Sequence, residues 1–167
     1  MGAAFEGSSE IVIHAKPEQV YTILEDSTLL SRWAPMVKHT TGGTERVGTI
    51  RTCQVEWEGQ IDEVAERCIE AIPNKKIAWI MEKGMMTRMF STISFWFVLE
   101  YRGENSTLLQ LGFLYAPKHI FARLLYLLMM KRKLKLLRQS LLENLKKLAE
   151  GQASYGTRSP TQSNHIN

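Results

Sequence analysis

The sequence predicts a two-layer α+β domain, an antiparallel sheet closed by one long C-terminal helix. Two observations carry this. First, Pro117 to Glu150 holds Ile120, Leu124, Leu127, Leu134, Leu137, Leu141, Leu145 and Leu148 at steps of three, four and seven, one stripe on a helix. Roughly 33 residues at 1.5 Å each make a rod of about 50 Å. Second, the stretch from Gly48 to Tyr115 reads as strand after strand, broken by turn-forming clusters at hairpin spacing. An apolar sheet face and an apolar helix stripe bury each other. A concave sheet gripping a straight rod leaves space between them, an apolar pocket.

In chain order, Ser8 to Ala15 is a short strand rich in β-branched residues. Lys16-Pro17-Glu18 turns it into a helix from Glu18 to Glu25. A second short helix runs from about Ser27 to Trp33, capped by Ser27 or Asp26 and ended by Ala34-Pro35. Val37 to Thr44 is extended. Then come Thr49–Glu58, Gln60–Ile72, Lys76–Lys83, Arg88–Tyr101 and Thr107–Tyr115. Alternation puts Ile77, Trp79 and Met81 on one face with Phe95, Phe97 and Leu99, and with Leu109, Leu111, Phe113 and Tyr115. Proline at 117 opens the last helix and Gly151 stops it. Residues 1–7 are expected to be a flexible lead-in, 8–150 the domain, and 151–167 a disordered polar tail.

A chain of 167 residues is long enough to bury about two-thirds of its surface without staples. Two cysteines, Cys53 and Cys68, are too few for a disulfide framework. With no secretory apolar segment near the N-terminus, a cytoplasmic setting is expected. The net charge of +4 is uneven: Lys118 to Glu150 holds nine Lys/Arg against two Glu, and the remainder twelve Lys/Arg against fifteen Asp/Glu. The basic helix is first of all a solvated face over a mildly acidic body; the alternative is a peripheral membrane contact through Lys131, Arg132 and Lys133. Basic residues interleaved with leucine rather than exposed aromatics argue against nucleic acid. His14, His39, His119 and His165 share no ligand spacing with Cys or carboxylates, and no phosphate-cradling glycine loop occurs; neither a metal nor a cofactor is expected.

Ile11-Val-Ile-His-Ala-Lys-Pro-Glu-Gln-Val20, then Asp26, then Leu30-Ser-Arg-Trp-Ala-Pro35, resembles the opening of the polyketide cyclase/dehydrase-like family of the START-like (SRPBCC) superfamily. Glu66-Arg67, Ile69 to Pro73 and the final hairpin with Ser106-Thr107 are similar to the same template, as is the helix end Leu141 to Leu148. The family's usual Gly-Thr before the last strand is Ser106-Thr107 here. The resemblance covers about residues 8 to 150. It implies the helix-grip fold, a curved antiparallel sheet wrapped around a long C-terminal helix with two short helices after the first strand. It also implies a cavity for a lipid-, quinone- or polyketide-like ligand. It fixes no reaction, since members include aromatase/cyclases, coenzyme Q-binding proteins and lipid carriers.

The expected cavity walls are Trp79, Met81, Phe95, Phe97, Leu111, Phe113, Tyr115, Leu124 and Leu128. A carrier or sequestering role needs only those walls. A cyclase/dehydrase-type enzyme, the alternative, needs a polar group inside to move a proton. The candidates are Arg67 and Glu63, which share parity on one strand, together with Glu56, Gln110, Tyr115 and His14. A surface position for the Arg67–Glu63 pair is the competing reading. Gln110, opposite in parity to Leu109 and Leu111, is expected outside. Trp33 is expected in the core, and Trp96 on the outer face, where it hints at a protein contact.

Overall fold

The computed structural model describes residues 4–43 and 46–156. Seven strands form one antiparallel sheet: Phe5–Ile13 (β1), Val37–Gly42 (β2), Ile50–Trp57 (β3), Gln60–Ile72 (β4), Lys76–Lys83 (β5), Phe90–Gly103 (β6) and Ser106–Pro117 (β7). Their order across the sheet is β1-β7-β6-β5-β4-β3-β2. Every neighbour after β1 is therefore a hairpin partner, and the first strand returns to pair with the last. Helices α1 (Pro17–Glu25) and α2 (Leu30–Trp33), joined by a 3₁₀ turn at Ser27–Leu29, fill the crossover between β1 and β2.

Local chemistry explains the ends. Pro17 occupies the first turn of α1, where its missing amide costs nothing, and the Gln19 side chain accepts from the Lys16 amide at 3.0 Å. Asp26 starts the 3₁₀ turn by accepting from the Thr28 amide at 2.9 Å. The β3–β4 connection puts Glu58 and Gly59 in the left-handed region, and the β6–β7 connection does the same with Glu104 and Asn105.

The C-terminal rod is one continuous run of three pieces: α3 (Ile120–Leu125), a π-helical turn (Tyr126–Met130) and α4 (Lys131–Gly156). It starts later than the proline signal predicts. Pro117 still belongs to β7, opposite Phe90, and His119 caps α3 by accepting from the Ala122 amide through Nδ1 at 3.1 Å. It also runs past the expected stop: Gly151 is exposed, a side chain there would meet no neighbour within 4 Å, and the residue stays in the helix. A lone glycine weakens a helix by about 1 kcal/mol, too little to end one. The expected flexible lead-in is likewise strand from Phe5, paired to Tyr115. Of the expected polar tail, residues 152–156 continue α4 and 157–167 lie outside the described residues.

The principal core packs α1, α2 and the second half of α4 against the concave sheet face. Leu141, Leu142, Leu145 and Ala149 meet Ile13, Trp33, Phe97, Leu109 and Leu111 there. Polar ties fix the rod's angle: Lys146 donates to the Val12 carbonyl at 2.8 Å, the His14 amide donates to Glu150 at 2.9 Å, and Asn144 donates to the Trp33 carbonyl at 3.3 Å. A second cluster of Phe90, Ile93, Tyr115, Tyr126 and Leu134 lies under the π-turn.

The single leucine stripe read from the sequence is divided by that π-turn. Buried positions run Ala122, Tyr126, Leu134 and Arg138, with Met130 partly buried, a spacing of four through the π-turn, and then Leu141, Leu142, Leu145 and Ala149. Ordinary helix turns at 3.6 would drift out of phase over that distance, and the wider turn absorbs the difference. Ile120, Leu124 and Leu127 consequently face outward, while Leu134, Leu141 and Leu145 face the sheet.

Candidate functional site

The concave face carries an aromatic ladder across three strands. Trp79 on β5 stacks on Phe95 of β6 with centroids 5.2 Å apart, Phe95 stacks on Phe113 of β7 at 5.5 Å, and Phe113 stacks on Tyr115 at 5.9 Å. Tyr126 and Phe5 extend the row toward the π-turn. Strand alternation puts Trp79, Phe95, Phe113 and Tyr115 on this one face, while Tyr126 meets them from the rod.

At the Trp79 end of the ladder stands a buried ion pair. Register sets Arg51 of β3 directly opposite Glu66 of β4 on the concave face. Arg51 is 2% exposed, and its Nε donates to Glu66 Oε2 at 2.6 Å. Its guanidinium lies 4.4 Å over the Trp79 ring and 5.9 Å from that of Phe95. Cys53 and Cys68 share this face and are buried free thiols. Burial, reinforced by Glu66, pushes the Cys53 thiol up to about 11, against the opposing pull of Arg51 and a hydrogen bond from Thr40. Cys68 is raised chiefly by burial as well. Neither is a thiolate nucleophile at neutral pH. Burial also holds the Tyr115 hydroxyl well above its ordinary range.

Two donors beside this pair are orphans. Arg51 Nη1 and Trp79 Nε1 are fully buried and make no hydrogen bond. A buried N–H without an acceptor costs about 1–3 kcal/mol, more when charged. Both belong to one guanidinium–indole contact, while Trp33 Nε1, in the principal core, is a third buried donor without a partner.

The polar pair read from the sequence sits elsewhere. Arg67 and Glu63 share a face, as their parity requires, but it is the outer one. Arg67 donates to Glu82 at 2.5 Å and to the Gly48 carbonyl at 3.0 Å, and Glu63 accepts from Lys83 at 2.6 Å. Glu63, Glu82 and Lys83 border a charged surface depression of about 370 Å³ with Asp62 and Arg88, unsuited to an apolar ligand. The surface reading of the pair is the one the structure supports, and β4 itself explains why parity left both open. Its apolar residues fall on both parities, and the inward set is Val64, Glu66 and Cys68, while Ile69 is exposed. Arg51 and Glu66 were recognisable by parity with Cys53 and Cys68, a signal hidden by their charge.

Among the expected walls, Trp79, Phe95, Phe97, Leu111 and Tyr115 are buried on the concave face. Met81 and Phe113 are half-buried beside them. Phe97 is 1% exposed and meets the edges of Trp33 and Trp79, so it belongs to packed core. Leu124 and Leu128 do not face the sheet; they are 52% and 74% exposed on the outer side of the rod. Gln110 lies opposite Glu10 and Val98, and Glu56 pairs with Lys38 at the surface. His14 is exposed, with Nδ1 3.2 Å from Ser106 Oγ. Trp96 is on the outer face as expected, but it lies flat over Gly112 of the next strand, whose missing side chain makes room for it. Among the described residues no three His, Cys, Asp or Glu side chains cluster as a metal site.

The model of the family described as "polyketide cyclase / dehydrase and lipid transport" matches residues 4–150. The chain belongs to this family. No curated protein matches the sequence closely enough to serve as a relative. Among solved structures, the fold of this polyketide cyclase/dehydrase-like chain is similar to the ZhuI aromatase/cyclase from Streptomyces, at 15% identity and a TM-score of 0.77, covering 93% of this chain and 99% of that one. It is also similar to a START superfamily protein from Mycobacterium smegmatis, at 21% identity and 0.65, covering 91% and 99%. Norcoclaurine synthase from Thalictrum flavum, solved with a transition-state analogue, matches at 15% identity and 0.69, covering 90% and 97%. These likenesses establish the START-like helix-grip fold.

Proposed function

We propose that the protein binds a hydrophobic small molecule between sheet and helix, as a carrier or sequestering protein. The ligand is lipid-, quinone- or polyketide-like, and it presents one acceptor oxygen to the Arg51–Trp79 end of the aromatic ladder. The carrying observation is the pair of orphan donors, Arg51 Nη1 and Trp79 Nε1, at the end of a wall of stacked rings. The rings supply non-directional affinity, about 0.8 kcal/mol for each ligand methylene buried. The donors fix orientation, and an oxygen reaching both relieves their desolvation. Glu66 holds the guanidinium beside Trp79, so the donor is in place before the ligand arrives. The buried reduced thiols suit a reducing compartment such as the cytoplasm.

The same pair favours one second reading, a cyclase/dehydrase-type enzyme. A cation that hydrogen-bonds a ketone oxygen polarises the carbonyl and stabilises negative charge developing on that oxygen.

Native mass spectrometry on freshly purified protein, followed by solvent extraction, tests the binding. A stoichiometric adduct bearing a carbonyl, carboxylate or phenolic oxygen, weakened in Arg51→Met, is the expected result. Protein that carries nothing and fails to take up fluorescent fatty acid or quinone probes overturns the carrier reading. Turnover of a poly-β-ketone substrate separates enzyme from carrier.

A further inference from the structure

The rod's first turns expose an apolar face that a folded chain has reason to cover. Ile120, Phe121, Leu124, Leu127 and Leu128 recur at i, i+1, i+4, i+7 and i+8, one side of a helix. All five are exposed, Ile120 by 79% and Phe121 by 65%. The opposite side, Ala122 and Tyr126, is buried against β7 and the second cluster. The inward side is therefore satisfied, and the outward side is apolar without a protein reason. Scattered apolar side chains on a surface mean nothing, but five on one continuous face mark a contact.

Charge says what kind. Between Glu104 and Glu143 the chain has no acidic residue, and it carries Lys118, Arg123, Lys131, Arg132, Lys133, Lys135 and Arg138. Lys133 is paired with Glu58. Among the described residues Lys131, Arg132 and Lys135 form no ion pair. Free cations thus follow directly on an exposed aliphatic face. No helix among the described residues is long and apolar enough to cross a membrane.

We propose that Ile120–Met130 is a docking face for an anionic lipid bilayer, with the apolar side chains entering the headgroup boundary and Lys131, Arg132 and Lys135 contacting lipid phosphates and carboxylates. An amphipathic segment of this length lies in the interface, with its apolar face buried about 5–10 Å deep. The face is the outward side of one helix, a convex surface. Its cations sit on long flexible stems rather than in the fixed geometry that specific carboxylate pairing requires. Both features suit a fluid anionic surface better than a folded partner. The π-turn serves the arrangement, since it lets Tyr126 and Leu134 both face the sheet while the preceding turns keep their leucines outside.

Co-sedimentation with vesicles tests this. The full chain is mixed with phosphatidylcholine vesicles or with vesicles of about one-third phosphatidylserine, at low and high salt. The expected result is pelleting with the anionic vesicles alone, reversed by salt. Each basic residue near such a surface contributes about fivefold in affinity, so Lys131→Gln with Arg132→Gln and Lys135→Gln lowers binding about a hundredfold. Ile120→Glu with Phe121→Glu abolishes it at an unchanged thermal midpoint, because both side chains are already in water. Three results overturn the proposal. Protein that stays in the supernatant with anionic vesicles does so, as does binding untouched by the Gln substitutions. So does sedimentation showing a dimer that Ile120→Glu with Phe121→Glu turns to monomer, which assigns the face to a second copy of the chain.

Discussion

Replacing Glu66 by leucine tests the interior ion pair most directly. Arg51 is 2% exposed, its Nε is 2.6 Å from the carboxylate, and aromatic rings flank the guanidinium. Glu66→Leu strands that cation in low dielectric. Removing one partner of a buried pair costs about 3–5 kcal/mol. In a domain of this size each kcal/mol moves the midpoint about 2–4 °C, so Tm should fall by about 10 °C. Replacing both partners, Arg51→Met with Glu66→Leu, removes the stranded charge and should return stability to within about 1 kcal/mol of the parent or above it. Urea unfolding followed by tryptophan emission measures all three proteins. A Glu66→Leu protein within about 1 kcal/mol of the parent, or a double variant no more stable than the single one, refutes the reasoning. The double variant also separates structure from function: it should stay folded and lose the ligand, since both the donor and its holder are gone.

Gly112→Ala would set a Cβ 2.2 Å from the Trp96 ring, so it should displace the indole, red-shift its emission and cost about 1–3 kcal/mol in chemical denaturation. Phe97→Ala should lower stability by about 3–5 kcal/mol rather than act on ligand alone, and calorimetry showing an unchanged midpoint would contradict its place in the core. Cys53 and Cys68 should resist a thiol-reactive disulfide reagent at pH 8 until urea unfolds the chain. The raised Cys53 thiol carries a sign as well. Above the ordinary thiol value of 9.0 the unfolded chain loses its proton first, so stability should fall from there toward about 11, and Cys53→Ala should flatten that slope in pH-dependent melts.

The sheet was legible because its signals are local. Gln60–Ile72 and Lys76–Lys83 match the observed β4 and β5 residue for residue, since glycine, asparagine and lysine clusters punctuate them unambiguously. The rod was legible as a helix but not in its facing. Leu124 and Leu127 continue the spacing of Leu134 and Leu141, and nothing in that spacing betrays the π-turn that divides them. The interior polar pair was hidden for another reason. Charge argues for the surface, and only the register of β3 against β4 brings Arg51 and Glu66 together, where each makes the other's burial tolerable. Parity on β4 was misleading because both of its faces carry aliphatic residues. What a side chain neutralises depends on the neighbouring strand, and one strand's sequence does not contain that.

The pairing of β1 with β7 also constrains how the chain reaches this state. Phe5 and Tyr115 are joined across a loop of about 100 residues, and that closure entropy is met before any contact rewards it. On a ribosome, β2 to β6 emerge as successive hairpins that can zip locally, while β1 waits without a partner until β7 has been made. During that interval the free edge of β6, with Phe95 and Phe97, is exposed to other nascent chains. Joining the two ends by circular permutation, with new termini in the crossover between β1 and β2, would place β1 after the C-terminal rod, bring Phe5 and Tyr115 to about half their present separation in sequence, and should speed refolding while leaving the finished sheet as it is.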